Sequence, residues 1–282
     1  MTDDKNQIDI RVMTAGDIPF AKSLTDYENW AYRESDFKRL IAQEPDGCFV
    51  ARLDDDPIGI ITSTSYDDYA FVGTLIVKPG HRNKKTGERL LCRAMEYLES
   101  RGVTAIELDG VFEAVPLYRR LGFTDKYHSL RLFRPGQPEK ITAELLEPDP
   151  TDEIIAFDSQ QTGLNRAPLL ERYLDEFKDT VYTLYENELA AYAFVRPNDA
   201  GSLIIGPCVA ANQQGAAQLL ENIIEGYAGK NLSLGVPEMN RETVELLSRR
   251  GFVLNTPSMR MYRGRRRDYE KHVVAILSPE KG

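Results

Sequence analysis

Apolar positions in the first half of the chain fall into short β-branched runs broken by polar and glycine-rich stretches, a pattern that predicts strands at 8–13 (IDIRVM), 48–53 (CFVARL), 57–65 (PIGIITSTS) and 70–77 (AFVGTLIV). The period then changes. Leu90, Leu91, Ala94, Met95 and Leu98 recur at helical spacing from Gly87 to Arg101, and Gly102 stands where a helix stop is expected. A further strand is predicted at 103–109 (VTAIELD) and a late helix at 113–121 (EAVPLYRRL).

The junction between the 70–77 strand and the long helix carries the chemistry. Thr74–Val77 is a β-branched stretch that Pro79 and Gly80 bring to an end, so the loop from Arg82 to Thr86 lies at a helix N-terminus. Such a terminus offers unpaired backbone N–H groups and a partial positive charge, and Arg82, Lys84 and Lys85 add three cationic side chains. These are the ingredients of a pyrophosphate cradle, and equally of an ordinary cationic strand-to-helix turn. A nucleotide P-loop is excluded: counting from Gly80, the second glycine of GxxxxGK[ST] falls on Lys85 and the motif lysine on Thr86.

The chain also repeats itself. Aligning Gly122-Phe123 with Gly251-Phe252 sets an offset of 129 residues (251 less 122), which places Leu90-Leu91 on Leu219-Leu220 and 130–134 (LRLFR) on 259–263 (MRMYR). With slightly larger shifts, 8–13 resembles 141–146 and 48–53 resembles 180–185. Two domains of one architecture are therefore expected, 1–137 and 138–282, joined where RPGQPE combines two prolines with a glycine. At the same offset Arg82 becomes Ala211, Lys85 becomes Gln214, Gly87 becomes Ala216 and Tyr118 becomes Leu247. The second copy keeps the scaffold without the cations or the phenol, which predicts a structural or acceptor-shaping role.

Composition narrows the classes. A chain of 282 residues is long enough for two cores, and a net charge of −9 argues against nonspecific nucleic-acid binding while favouring a cationic acceptor such as an amine. No apolar run approaches a membrane span, and the start MTDDKNQ has neither a charged n-region nor an h-region, so a cytoplasmic protein is expected. Cys48, Cys92 and Cys208 lack CxxC spacing and read as small buried hydrophobes; His81, His128 and His272 are scattered, and no metal site is expected. The basic run Arg263, Arg265, Arg266 and Arg267 reads as a solvated surface, and Trp30 as a core or cleft-wall residue.

In V-x-P-x-x-R-x-x-x-x-G-x-x-L (Val77, Pro79, Arg82, Gly87, Leu90) followed by A-x-x-L-Y-x-x-L-G-F (Ala114, Leu117, Tyr118, Leu121, Gly122, Phe123), the chain resembles the GNAT superfamily of N-acetyltransferases. It resembles in particular a bacterial group with two such domains in tandem. The family's loop is R-x-x-G-x-G/A, and Lys85 replaces its first glycine. The resemblance implies an α/β (α+β) fold of two GNAT-like domains, each a mixed, mostly antiparallel sheet flanked by helices. It implies acetyl-CoA as acyl donor, its pantetheine along Leu75, Ile76 and Val77 and its pyrophosphate on Arg82, Asn83, Lys84, Lys85, Thr86 and Gly87. An amine acceptor would attack the thioester directly, with a backbone N–H near Ile76 and Val77 as oxyanion donor. Tyr118 would protonate the departing thiolate, and Asp109, Glu113 or Glu28, or a water, would take the amine proton. A homodimer stays open, as do two other classes: a silent acyl-CoA sensor and a structural interaction protein.

Overall fold

The computed structural model describes residues 8–137 and 147–282. The strand expected at 141–146 and part of the proline-rich joint lie outside the described residues. Compactness gathers the chain into two units: one holds the residues up to Leu108 together with Tyr262–Arg265 and Lys281, and the other holds Asp109–Met261, Arg266–Glu280 and Gly282.

In the first unit, β1 (Ile8–Val12) is followed by helices α1 (Ile18–Tyr27) and α2 (Glu34–Gln43), then β2 (Phe49–Leu53), β3 (Asp56–Tyr66), β4 (Tyr69–Val77), α3 (Thr86–Ser100) and β5 (Ala105–Gly110), whose last two residues count with the second unit. The four expected strands and the long helix all form. The sheet order is β1-β2-β3-β4-β5, antiparallel except for the parallel β4–β5 pair. Strand alternation divides the side chains: Val50, Ile60 and Ile76 join Leu24, Phe37 and Leu40 of α1 and α2 in one core. On the opposite side α3 buries Leu90, Leu91, Ala94, Met95 and Leu98. Gly59 permits a close approach there, since a Cβ would stand 3.1 Å from Leu90 and 3.0 Å from the carbonyl of Ile76.

The second unit contains α4 (Val115–Arg120), β6 (Thr124–Arg134), α5 (Glu153–Thr162), α6 (Ala167–Glu176), β7 (Val181–Tyr185), β8 (Leu189–Pro197), β9 (Leu203–Ala210), α7 (Gln213–Gly226), β10 (Leu232–Pro237), α8 (Arg241–Arg249), most of β11 (Val253–Gly264) and β12 (Val273–Ala275). Its sheet runs β6-β10-β9-β8-β7, with β12 on β9. Helix α7 covers one face through Leu219, Leu220, Ile223 and Ile224, packed with Val195, Ile205, Leu234 and Val236. Helices α5 and α6 cover the other with Phe157, Leu169 and Tyr173 against Phe194 and Val209. Among the described residues, the order α5, α6, β7, β8, β9, α7, β10 repeats α1, α2, β2, β3, β4, α3, β5.

The repeat does not dictate strand partners. β6, from the first sequence copy, pairs antiparallel with β10 of the second over Ser129–Arg134 and Leu232–Pro237. Conversely, the end of β11 belongs to the first unit, where the N–H of Arg265 donates to the Thr104 carbonyl at 3.0 Å. Gly264, at φ +83°, lies so close to Thr104 that no side chain fits between them.

Candidate active site

The expected cofactor residues lie on one continuous run of the first unit, β4, the loop and the start of α3. Register with β3 shifts inside β4: Gly73 faces Thr62 and Ile76 faces Ile60, leaving Thr74 and Leu75 opposite Ile61 in a bulge. Thr74 sits at φ +45°, a left-handed conformation that is a true outlier for a β-branched residue. Hydrogen bonds hold it there, from Thr74 Oγ1 to Thr62 Oγ1 at 2.9 Å and from Thr62 Oγ1 to the Gly73 carbonyl at 3.3 Å. The only signal of this bulge in the sequence is a glycine inside a strand pattern, Gly73.

Beyond the bulge, alternation assigns the backbone groups. The N–H of Lys78 donates to the Ile58 carbonyl on β3 at 2.8 Å, so the polar groups of Val77 face the other edge of β4. The Val77 carbonyl there accepts from Arg82 Nε at 2.9 Å. The Arg82 guanidinium also pairs with Glu28 and lies over the Tyr27 ring, 5.8 Å from its centroid. Lys84 Nζ reaches the Gly80 carbonyl at 3.0 Å.

The loop turns through two left-handed residues, Asn83 at φ +60° and Lys85 at φ +64°. Lys85 is the residue before the first helical turn, and no side chain caps α3. The first N–H groups of α3 are therefore left without intrahelical acceptors, beside three cations. An anion such as a pyrophosphate fits this arrangement by charge and by donor geometry. Lys85 adopts a left-handed backbone conformation, one that glycine takes without steric cost.

Of the expected proton-transfer residues, Tyr118, Asp109 and Glu113 belong to the second unit and Glu28 to the first. Tyr118 is buried on α4, its ring edge-on to Phe123 with centroids 6.1 Å apart. Gly122, at φ +86°, ends the helix and lets Phe123 return its N–H to the Tyr118 carbonyl at 3.0 Å, which accounts for the leucine-glycine-phenylalanine ending of the motif. Burial pushes the Tyr118 phenol well above its ordinary pKa.

Asp109 is corrected by its surroundings. Its side chain is 1% exposed; Arg260 Nε meets one oxygen at 2.8 Å and Arg131 Nη2 the other at 2.8 Å. Burial by itself would raise the carboxyl pKa, but the two guanidinium charges outweigh it and hold the group below the usual carboxylate range. A carboxylate so held is a structural ion pair and a poor base. Arg131 and Arg260 stand 129 residues apart, the offset of the repeat, so the two copies deliver equivalent arginines to one aspartate. Glu113 lies exposed on the turn Phe112–Ala114. Glu28 is committed to Arg82. Glu238 was not singled out by sequence; it pairs with His128 Nδ1 at 2.8 Å and accepts the His128 N–H at 2.8 Å.

Of the three cysteines read as buried, Cys48 and Cys208 are buried and Cys92 is half-buried. Burial pushes the Cys48 and Cys208 thiols up to about 12, as befits inert core residues. Arg263 pairs with Glu99, and Arg266 with Asp268 at 2.8 Å. Among the described residues, no group of three or more His, Cys, Asp or Glu is placed to hold a metal ion, and no helix is long and apolar enough to cross a membrane.

Comparison with known proteins gives the family. The profile of the acetyltransferase (GNAT) family matches residues 18–123, and that of an acetyltransferase (GNAT) domain matches residues 154–274. Holothin acyltransferase of Pseudoalteromonas sp. (strain SANK 73390) is 28% identical over 268 residues, covering 90% of this chain and 88% of that protein. The crystal structure of a presumed acetyltransferase from Pyrococcus horikoshii superposes with a TM-score of 0.82 at 25% identity, over 100% of this chain and 98% of that one. A GCN5-related N-acetyltransferase from Sphaerobacter thermophilus shares the fold, with a TM-score of 0.66 at 16% identity over 94% and 97% of the two chains. The chain belongs to the GNAT superfamily, as an acyltransferase built of two GNAT domains in tandem.

Proposed function

We propose that this enzyme transfers an acetyl group from acetyl-CoA to a primary amine of a small molecule or peptide by direct attack, with the first sequence copy (1–137) carrying the donor site and the second (138–282) shaping the acceptor side. The observation that carries this reading is the run from Thr74 to Gly87. A bulged strand edge with its polar groups turned outward leads through two left-handed residues into an uncapped, cation-flanked helix start. The donor supplies an activated acyl thioester. Leu75, Ile76 and Val77 would line its arm, and Arg82, Asn83, Lys84, Lys85, Thr86 and Gly87 would hold its phosphates.

The outward N–H of Val77 suits the oxyanion role, since it belongs to rigid sheet backbone. Tyr118 serves as the acid: its raised pKa keeps the phenol protonated at neutral pH. Deprotonating an alkylamine at pH 7 costs roughly 4.6 kcal/mol. Asp109 is withdrawn as base and Glu28 is engaged, which leaves Glu113 or solvent to take that proton. The relative named for holothin acylation supports acyl transfer in general, and leaves chain length and acceptor to experiment.

Steady-state kinetics with an amine panel, together with calorimetric titration of acetyl-CoA, tests this reading. Arg82→Ala should weaken acetyl-CoA binding by about tenfold or more, the loss of a charged hydrogen bond. Tyr118→Phe should lower kcat with the dissociation constant unchanged. Undiminished kcat in Tyr118→Phe would remove the acid, and no thiol release with any amine would leave a silent acyl-CoA sensor.

A further inference from the structure

The second copy repeats the strand, loop, helix and strand of the first as β9, the loop at 211–212, α7 and β10. In the first copy β4 and β5 are parallel and pair only at Tyr69–Phe71 with Ala105–Glu107, after which β4 runs on to Val77. In the second copy β9 and β10 pair only at Leu203–Ile204 with Leu232–Ser233. Between the diverging strands lies the chain's own segment 272–277.

This segment bonds to both strands. Val273 and Ala275 pair with Val209 and Cys208 of β9, and the N–H of Ala210 donates to the His272 carbonyl at 3.0 Å. The N–H of Ile276 donates to the Gly235 carbonyl of β10 at 2.9 Å. Asn240 Nδ2 holds the Val273 carbonyl at 2.6 Å, and Arg196 Nη2 the Leu277 carbonyl at 2.7 Å. Val273–Leu277 are each at most 5% exposed. The flanking strands make room for it: a Cβ on Gly235 would stand 2.7 Å from the Ile276 side chain, and one on Gly206, at φ +148°, would collide with the Ile276 carbonyl.

The helix start beside this slot is also satisfied internally. Asn212 caps α7, its Oδ1 accepting the Gly215 N–H at 2.8 Å, whereas α3 has no side-chain cap. Ala211, Gln213 and Gln214 supply no positive charge. An acyl donor's pantetheine arm carries amides, and it docks on a strand edge by the same backbone bonds that an added peptide strand makes.

We infer that residues 272–277 occupy the acyl-carrier slot of the second copy and Asn212 its anion site, so that each chain binds one coenzyme A, at the first copy alone. This rests on the donor site proposed above for β4 and α3. The test is hydrogen exchange on the full-length protein, free and with saturating coenzyme A, combined with calorimetric stoichiometry. In the free protein the amides of Ala210 and Ile276 should exchange about a thousandfold or more slowly than in an unstructured chain. Coenzyme A should bind once per chain and slow exchange within 72–87, leaving 206–216 and 272–277 unchanged.

Two coenzyme A molecules per chain, a footprint within 206–216, faster exchange at Ile276 on binding, or unprotected Ala210 and Ile276 amides would each overturn the inference. Protected amides with no coenzyme A bound at all would sustain the occupied slot and overturn the donor site of the first copy instead.

Discussion

Lys85 stands where the family pattern carries a glycine, yet its φ of +64° is the conformation that glycine provides. Holding a lysine there costs about 1 to 2 kcal/mol, partly offset because glycine would lose more backbone entropy on folding. Lys85→Gly should therefore leave the melting temperature unchanged or slightly higher and keep acetyl-CoA affinity within about threefold, whereas Lys85→Val should cost on the order of 1 to 3 kcal/mol of stability. Thermal melts and titration calorimetry read both. A tenfold loss of affinity in Lys85→Gly would assign Lys85 to charge and leave its conformation incidental. Tyr118 permits a second prediction at this scale. An acid must be protonated to act, and burial raises this phenol's pKa, so activity with an alkylamine should climb as the amine loses its proton and should not fall between about pH 8 and 10. A falling limb in that interval that vanishes in Tyr118→Phe would contradict the assignment.

Among the elements, the meeting of β5, β6 and β11 at Asp109 governs stability. Replacing Asp109 by asparagine removes the buried carboxylate that Arg260, whose side chain is 0% exposed, shares with Arg131, and should destabilise the fold by about 3 to 5 kcal/mol. The pH dependence has a definite sign. Because the folded pKa of Asp109 is lowered, its contribution is complete above the unfolded value of about 3.9 and is lost as pH falls through the folded one. Denaturant titrations below pH 4 should show a steeper loss in the wild type than in Asp109→Asn; parallel profiles would deny the aspartate this role. The same junction shows what sequence could and could not reveal. β4, its loop and α3 were legible because the period change, the proline-glycine stop and the three cations are all local. β6 and β11 were legible only as copies of one another, through the match of 130–134 with 259–263. Their partners were not, since pairing of Leu130 with Val236 joins residues far apart along the chain, and no local pattern encodes it. Nor was the destination of β12, three apolar residues whose meaning is the slot they enter.

At the scale of the whole molecule, the two sequence copies are not the two compact units. Residues 109–137 belong by sequence to the first copy and by packing to the second unit, while Tyr262–Arg265 and Lys281 go the opposite way. In the first unit the Tyr66 hydroxyl donates to the Lys281 carbonyl at 2.8 Å, and Arg265 donates to Thr104. A fragment comprising residues 1–137 would keep β6 but lose β10, the strand against which Ser129–Arg134 are paired, and would expose the backbone edge of β6 to solvent and to other chains. It would also leave buried Asp109 without Arg260. Both losses predict that this fragment, expressed alone, aggregates or stays unfolded by circular dichroism and light scattering. Mixing it with residues 138–282 during refolding should restore a 1:1 complex with dispersed amide resonances and acetyl-CoA binding. A monomeric, folded fragment of 1–137 that binds acetyl-CoA would mean that β6 can turn back onto β5 and serve as its partner. The exchange of strands would then be an option of the duplicated chain, and the first copy would be a complete acyltransferase domain by itself.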